Sequence, residues 1–293
     1  MRAKIKRSIL ARIIPGLTSL TKRGSSGWMI VVGLIIVLAL IIMTAVGPFI
    51  TPYDPAKSKV GDIREPPSPQ HPLGTNQLGQ DMFSRTLVGG AIMIQVAALS
   101  LLVCFLVGVP IGLFSSYVGG ILDSTLTLII DAIYAFPGLV IAIAIAAMLG
   151  PGVVNMALSI SVVYIPSYFR IVRSQVLSIK ELTYVEAAKS MGAKWHTILT
   201  RYIFPNVVPS IVVVATVNFA DAVLTAAGLT FIGLGVTYDI PDWSWDLTNG
   251  WKYLSSRAWW IIAFPGLMII LLALGFTLIG EGLSELLNPK LQR

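Results

Sequence analysis

Six long apolar stretches, at about 28–50, 91–116, 127–149, 152–169, 207–234 and 258–280, constrain this 293-residue chain more than any other feature. A bilayer core about 30 Å thick needs roughly 20 helical residues at about 1.5 Å each. Each stretch reaches or nearly reaches that length. Apolar residues make up 55% of the chain and charged residues 12%, against about 25% charged in an ordinary soluble domain. Mean hydropathy is +0.81, so lipid is the solvent for most of the chain. These stretches predict an all-α, polytopic membrane protein with six transmembrane helices. The fourth is short, and the third and fifth each carry one aspartate, Asp131 and Asp221.

Basic residues set the orientation. Seven precede the first span, six (Arg170, Arg173, Lys180, Lys189, Lys194, Arg201) follow the fourth, and Lys290 and Arg293 close the chain. That makes fifteen on one side against six on the other (Lys57, Lys59, Arg64, Arg85, Lys252, Arg257). With an even number of spans, both N and C termini are expected in the cytoplasm. The net charge of +7 then reflects topology and contact with anionic lipid, not nucleic-acid binding. The first span is too long for a cleaved signal peptide and follows a 27-residue basic tail. The single cysteine, Cys104, falls inside the second span, so no disulfide framework exists and a packing role is expected.

Two outer loops stand out. Residues 51–90 carry Pro52, Pro55, Pro66, Pro67, Pro69 and Pro72, which predicts an extended, irregular segment with short helical pieces near its end. Residues 236–257 hold Asp239, Asp242, Asp246, Trp243, Trp245 and Trp251. Tryptophans here suit a membrane interface; a surface receiving a partner protein is the alternative.

On the inner side, residues 186–205 (EAAKSMGAKWHTILTRYIFP) form a polar island between two spans. Thr183 and Glu186 have capping-box spacing, which would start a helix. Ala187 and Ala188 favour helix with a low surface, and Gly192 permits the left-handed residue that ends one. A second helical stretch, about 194–203, is expected to stop at Pro205. A small-residue surface beside one carboxylate can insert into a groove on another protein. An ordinary solvated connection and a DNA-reading helix-turn-helix are the rival readings.

Glu186, Ala187, Ala188, Gly192 and Pro205 match the EAA loop pattern of ABC importer permeases, which the segment resembles. HPLGTNQLGQDMFSR (71–85), DAIYAFPGL (131–139), AGLTFIGLG (227–235), PDWSW (241–245) and EGLSELLNPK (281–290) are similar to one branch, the second permease of dipeptide, oligopeptide and nickel importers. The likeness runs from Trp28 onward. Asn76 stands where that branch has aspartate, Gln80 where it has arginine, and Ala227 where glutamate is common. Tyr202 and Phe204 replace the usual aliphatics of the loop.

The resemblance implies the type I ABC importer permease fold: a basic cytoplasmic tail (1–27), a first transmembrane helix (28–50), an external loop (51–90), a five-helix permease core (91–280) with the coupling loop at about 173–206, and a cytoplasmic tail (281–293). It implies a prokaryotic cytoplasmic membrane location. The implied partners are a second related permease, one or two ATPase subunits, an external solute-binding protein and the lipid bilayer. The chain holds no G-x-x-x-x-G-K-[ST] phosphate loop, so ATP and Mg²⁺ would be bound by the ATPases and no cofactor, metal or catalytic residue is expected here. Peptide import is the expected function, with an oligosaccharide or a nickel complex as other cargoes of such machinery.

Asn218, Asp221 and Thr225 fall at i, i+3 and i+7 of the fifth span, one helical face. An aspartate at mid-bilayer costs roughly 2.5–3.5 kcal/mol on insertion scales, so Asp221 should face protein or water. The stripe lines a translocation pathway or makes hydrogen bonds between helices. Asp131 belongs to the same pathway, or sits at the interface paired with a basic residue. Gly108 and Gly112 form a G-x-x-x-G face suited to close helix packing. A self-contained secondary transporter would need paired intramembrane charges or broken helices, for which Asp131 and Asp221 offer little. With only His71 and His196, neither in a span, an intramembrane protease or metal enzyme is implausible.

Overall fold

The computed structural model describes residues 24–236 and 240–287. All regular structure among them is helical apart from one isolated bridge, Thr75 to Asp81. In chain order the helices are α1 (Ser25–Ile50), α2 (Met82–Val88), α3 (Gly90–Val118), α4 (Gly120–Tyr134), α5 (Gly138–Leu149), α6 (Val153–Ile179), α7 (Thr183–Ser190), α8 (Trp195–Thr197), α9 (Phe204–Phe231), α10 (Trp243–Trp251) and α11 (Trp260–Leu287). Five helical segments are long and apolar enough to cross a membrane, or six if α4 and α5 together count as one span.

The third span departs from the expectation of a straight helix over 127–149. It starts earlier, at Gly120, and bends by 89° between α4 and α5. Pro137 lies in that break, with extended backbone (φ −58°, ψ 122°). Proline lacks the N–H needed to continue a helix and biases the preceding residue, Phe136, away from helical geometry. The fourth span, expected to be short, is 27 residues long, and its inner half carries Arg170 and Arg173 past the apolar stretch.

In lipid, apolar burial gives little drive for helix association, so close packing and polar contacts matter more. The long helices pair as α3 with α6 and α1 with α11. Gly108 and Gly112 lie against α6, as the G-x-x-x-G spacing predicts. A Cβ on Gly108 would stand 2.9 Å from the Tyr168 Cβ, and one on Gly112 3.1 Å from the Phe169 carbonyl oxygen. Cys104 is fully buried between the same two helices and donates to the Ser161 carbonyl.

The end of the bundle that carries the 51–90 loop, expected to face outward, is a polar cap. Asp81 bonds His71 Nδ1 at 2.9 Å with one oxygen. Its other oxygen accepts from the Ser84 N–H and hydroxyl, capping α2. Arg85 Nε lies 2.9 Å from both oxygens of Asp246, and Nη1 donates to the Pro55 carbonyl. Trp243 Nε1 donates to the Thr86 carbonyl and Trp260 Nε1 to that of Thr75. Trp243 is therefore wholly buried and serves neither of the surface roles its loop suggested, whereas Trp251 is exposed. Asp239 lies outside the described residues.

Asn76 and Gln80 are also buried here, and they bond each other: Asn76 Nδ2 donates to Gln80 Oε1 at 2.8 Å. The two departures from the family pattern are thus partners. Where the pattern has an aspartate and an arginine four residues apart, this chain has two neutral amides in contact.

Candidate functional site: an exposed two-helix segment and a polar cavity

Between α6 and α9 the chain leaves the bundle and returns. Leu182 occupies the N-cap position of α7 and no side chain caps the helix. The expected Thr183–Glu186 capping box is absent because Thr183 is already inside the first turn. Glu186 is also in that first turn and exposed, where a carboxylate is favoured by the helix dipole. Val185 and Ala188 are the buried, inward residues, and Val185 belongs to the same apolar cluster as Ile179, Ile198, Ile203 and Val207. Glu186, Ala187 and Lys189 point outward. Of the two alanines, then, Ala187 belongs to the free surface and Ala188 to the support beneath it.

The turn at Gly192 is as the sequence predicts. Its φ is +80°, its N–H bonds the Lys189 carbonyl, and the Ala193 N–H bonds that of Ala188. This is a Schellman arrangement, which needs a left-handed residue at that point. The second stretch does not stop at Pro205. It runs from α8 through a π-helix, Ile198–Ile203, directly into α9. Proline is tolerated in a helix's first turn, where its N–H would have no partner. Pro205, half-buried, opens the span. Tyr202, one of the unusual residues of the loop, stacks on Tyr184 with ring centroids 6.4 Å apart and ties the second stretch to α7. Met191 and Trp195 are left 79% and 55% exposed.

The second feature is a cavity of about 260 Å³ where the α4–α5 break meets α6 and α9. Tyr134, Phe136, Gly138, Ser167, Asn218 and Asp221 are among its lining residues. The predicted face of α9 is therefore divided. Asn218 and Asp221 line the cavity, while Thr225 lies beside it, its hydroxyl 3.0 Å from that of Tyr164 and donating to the Asp221 carbonyl. Asp131 is not among the lining residues; it pairs with Arg170 at 2.6 Å. The Arg170 guanidinium lies 4.1 Å from the Tyr134 ring centroid. A second ion pair, Arg173 with Asp123 at 2.8 Å, also ties α4 to α6.

Sequence reasoning counted Arg170 and Arg173 only as topology signals and did not single out Asp123. The usable signal was their spacing: two aspartates eight residues apart on one segment and two arginines three apart on the other. Tyr134 and Tyr164 carried no such signal.

Long apolar helices around a cavity of mixed polar and apolar lining, joined to an exposed two-helix segment, fit a multi-pass membrane-transport subunit. Residues 108–293 match a family described as "binding-protein-dependent transport system inner membrane component". Residues 28–67 match the "N-terminal TM domain of oligopeptide transport permease C". The chain belongs to the ABC importer permeases, as a second-permease subunit of the dipeptide/oligopeptide family. It is 36% identical over 262 residues to the dipeptide transport system permease DppC of Alkalihalophilus pseudofirmus, covering 89% of this chain and 86% of that one. It is 37% identical to the probable D,D-dipeptide transport system permease DdpC of Escherichia coli K12, covering 87% and 86%. Against the glutathione transport system permease GsiD of Pectobacterium atrosepticum the identity is 38%, covering 87% and 85%. The protein is accordingly a non-catalytic, multi-pass inner-membrane permease that couples to ATPase partners.

Proposed function

We propose that this chain forms half of the translocation pathway of a peptide importer, with both termini in the cytoplasm. It pairs with a second, related permease; one or two kinds of ATPase subunit bind below and an external binding protein delivers the solute. Peptides are favoured as cargo because relatives across nearly the whole chain are dipeptide and glutathione permeases. Glu186, Ala187 and Gly192 form the surface that meets the ATPase, with Ala188 and Pro205 supporting it. Asn218 and Asp221 line the pathway, and Thr225 and Asp131 hold its walls.

The observation that carries this reading is the helical continuity from the exposed segment into α9, the helix bearing Asn218 and Asp221. A push on α7 passes through Val185, packed with Ile198 and Ile203, and through the Tyr184–Tyr202 stack to the second stretch, and from there to the cavity wall without an intervening loop. ATP binding to the closed ATPases would shift the equilibrium through its preference for that state. The test is purification of the tagged chain from its native membrane in mild detergent, with partners identified. Recovery of a second six-span permease and a phosphate-loop ATPase supports the reading. Active uptake by a chain recovered alone, or only with its own copies, overturns it.

A further inference from the structure

We propose that Asp221 and Asn218 form a subsite for the ammonium end of the solute in transit; this rests on the cavity being the pathway. The Asp221 side chain lines the cavity, is exposed, and has no hydrogen-bond or ion-pair partner among the described residues. The nearest cation by sequence on the facing wall is Arg170, one helical turn beyond Ser167, and it is engaged by Asp131 and the Tyr134 ring. The carboxylate is therefore left for an incoming cation.

Asn218 supplies the second, independent observation. Its side chain is buried, 6% exposed, and its Nδ2 has no hydrogen-bond partner among the described residues although it lines the same cavity. A buried donor without an acceptor is costly. Residues three apart on a helix stand about 5–6 Å from one another. A group that satisfies both must place an ammonium beside Asp221 and an acceptor oxygen a few ångströms away beside Asn218. An α-aminoacyl group, with its ammonium next to a carbonyl, has that geometry. Phe136 adds an aromatic face of the kind that attracts ammonium groups. The subsite thus recognises the feature shared by all free peptide N-termini and ignores side chains.

The test uses the assembled transporter in proteoliposomes, with Cys104→Ser as background and Ser167→Cys as a reporter inside the cavity. Labelling by the cationic reagent 2-aminoethyl methanethiosulfonate is expected to be at least about tenfold faster, relative to its neutral ethyl analogue, than in the added presence of Asp221→Asn. Asp221→Glu should keep the preference. L-Alaninamide should protect the reporter better than ethylamine, and Asn218→Leu should erase that difference. Labelling with no charge preference, or a preference indifferent to Asp221→Asn, overturns the subsite while leaving the pathway intact. No labelling of Ser167→Cys, nor of a second reporter, Ile141→Cys, by any of these reagents overturns the pathway reading and the subsite with it.

Discussion

The two ends of this bundle are built on opposite plans. At the outer end, charged and amide side chains are buried and matched: His71 with Asp81, Arg85 with Asp246, Asn76 with Gln80. At the inner end, α7 and α8 keep only a thin apolar underside, and leave Glu186, Met191 and Trp195 in the open. Most of the cap's buried charges are already matched inside the chain, although Arg85 Nη2, the Thr86 hydroxyl and Gln77 Oε1 have no partner among the described residues. The inner segment is, on the proposed function, the surface for another protein. Substitutions at the first should act on folding, and substitutions at the second on transport.

The largest effect on folding is expected from Arg85→Ala. Both charges of the Arg85–Asp246 pair are almost fully inaccessible, and removing one partner of a buried pair typically costs about 3–5 kcal/mol. Thermal unfolding of the purified complex should show a large loss of stability, with poor assembly. Glu186→Lys should do the reverse. It should abolish uptake while stability falls by no more than about 1 kcal/mol, the scale of a charge against the dipole in a helix's first turn. Normal uptake by that variant in proteoliposomes would count against the coupling assignment, and a matching loss of stability would erase the contrast between the two ends.

How far this contrast could be read in advance differs between the ends. The inner segment was largely legible because its signals are local: alanines, then a glycine four residues on, then a proline. What failed there was also local competition, since Leu182 took the N-cap that Thr183 was expected to hold, and the π-helix carried the chain past Pro205. The outer cap was illegible because its contacts are remote. Arg85 and Asp246 are separated by 161 positions, and nothing in either neighbourhood names the other. Asn76 and Gln80 show the same limit at short range. Taken singly, each is only a departure from the branch pattern; together they are one buried hydrogen bond. The long apolar helices were legible by hydropathy, but the break at Pro137 was not, because composition alone does not say whether a proline bends a helix or ends it.

The amide pair offers a smaller, sharper test of the cap. Asn76→Asp places a second carboxylate near Asp246, whose own carboxyl is already pushed up by burial. That variant should be destabilised by about 2 kcal/mol, the scale of a buried polar group losing its match. Adding Gln80→Arg should recover most of the loss, giving a favourable interaction energy in a double-mutant cycle. An additive result would mean that the two positions are not coupled as the geometry indicates.

The smallest expected effect concerns Asp242, which caps α10 through the Ser244 and Trp245 N–H groups and the Ser244 hydroxyl. Burial outweighs those bonds and pushes its carboxyl up to about 6. A carboxyl raised on folding contributes stability that is fully present below the unfolded value, near 4, and is lost as pH rises through about 6. The cap should therefore be steadier at pH 5 than at pH 7, by about 1 kcal/mol from this residue. The readout is the difference in unfolding midpoint between the unaltered complex and Asp242→Asn, followed by tryptophan fluorescence, since Trp243 is buried one residue away. A difference that does not change between pH 5 and pH 7 would place the Asp242 carboxyl in the ordinary range, and the outer cap would then hold its charge without strain.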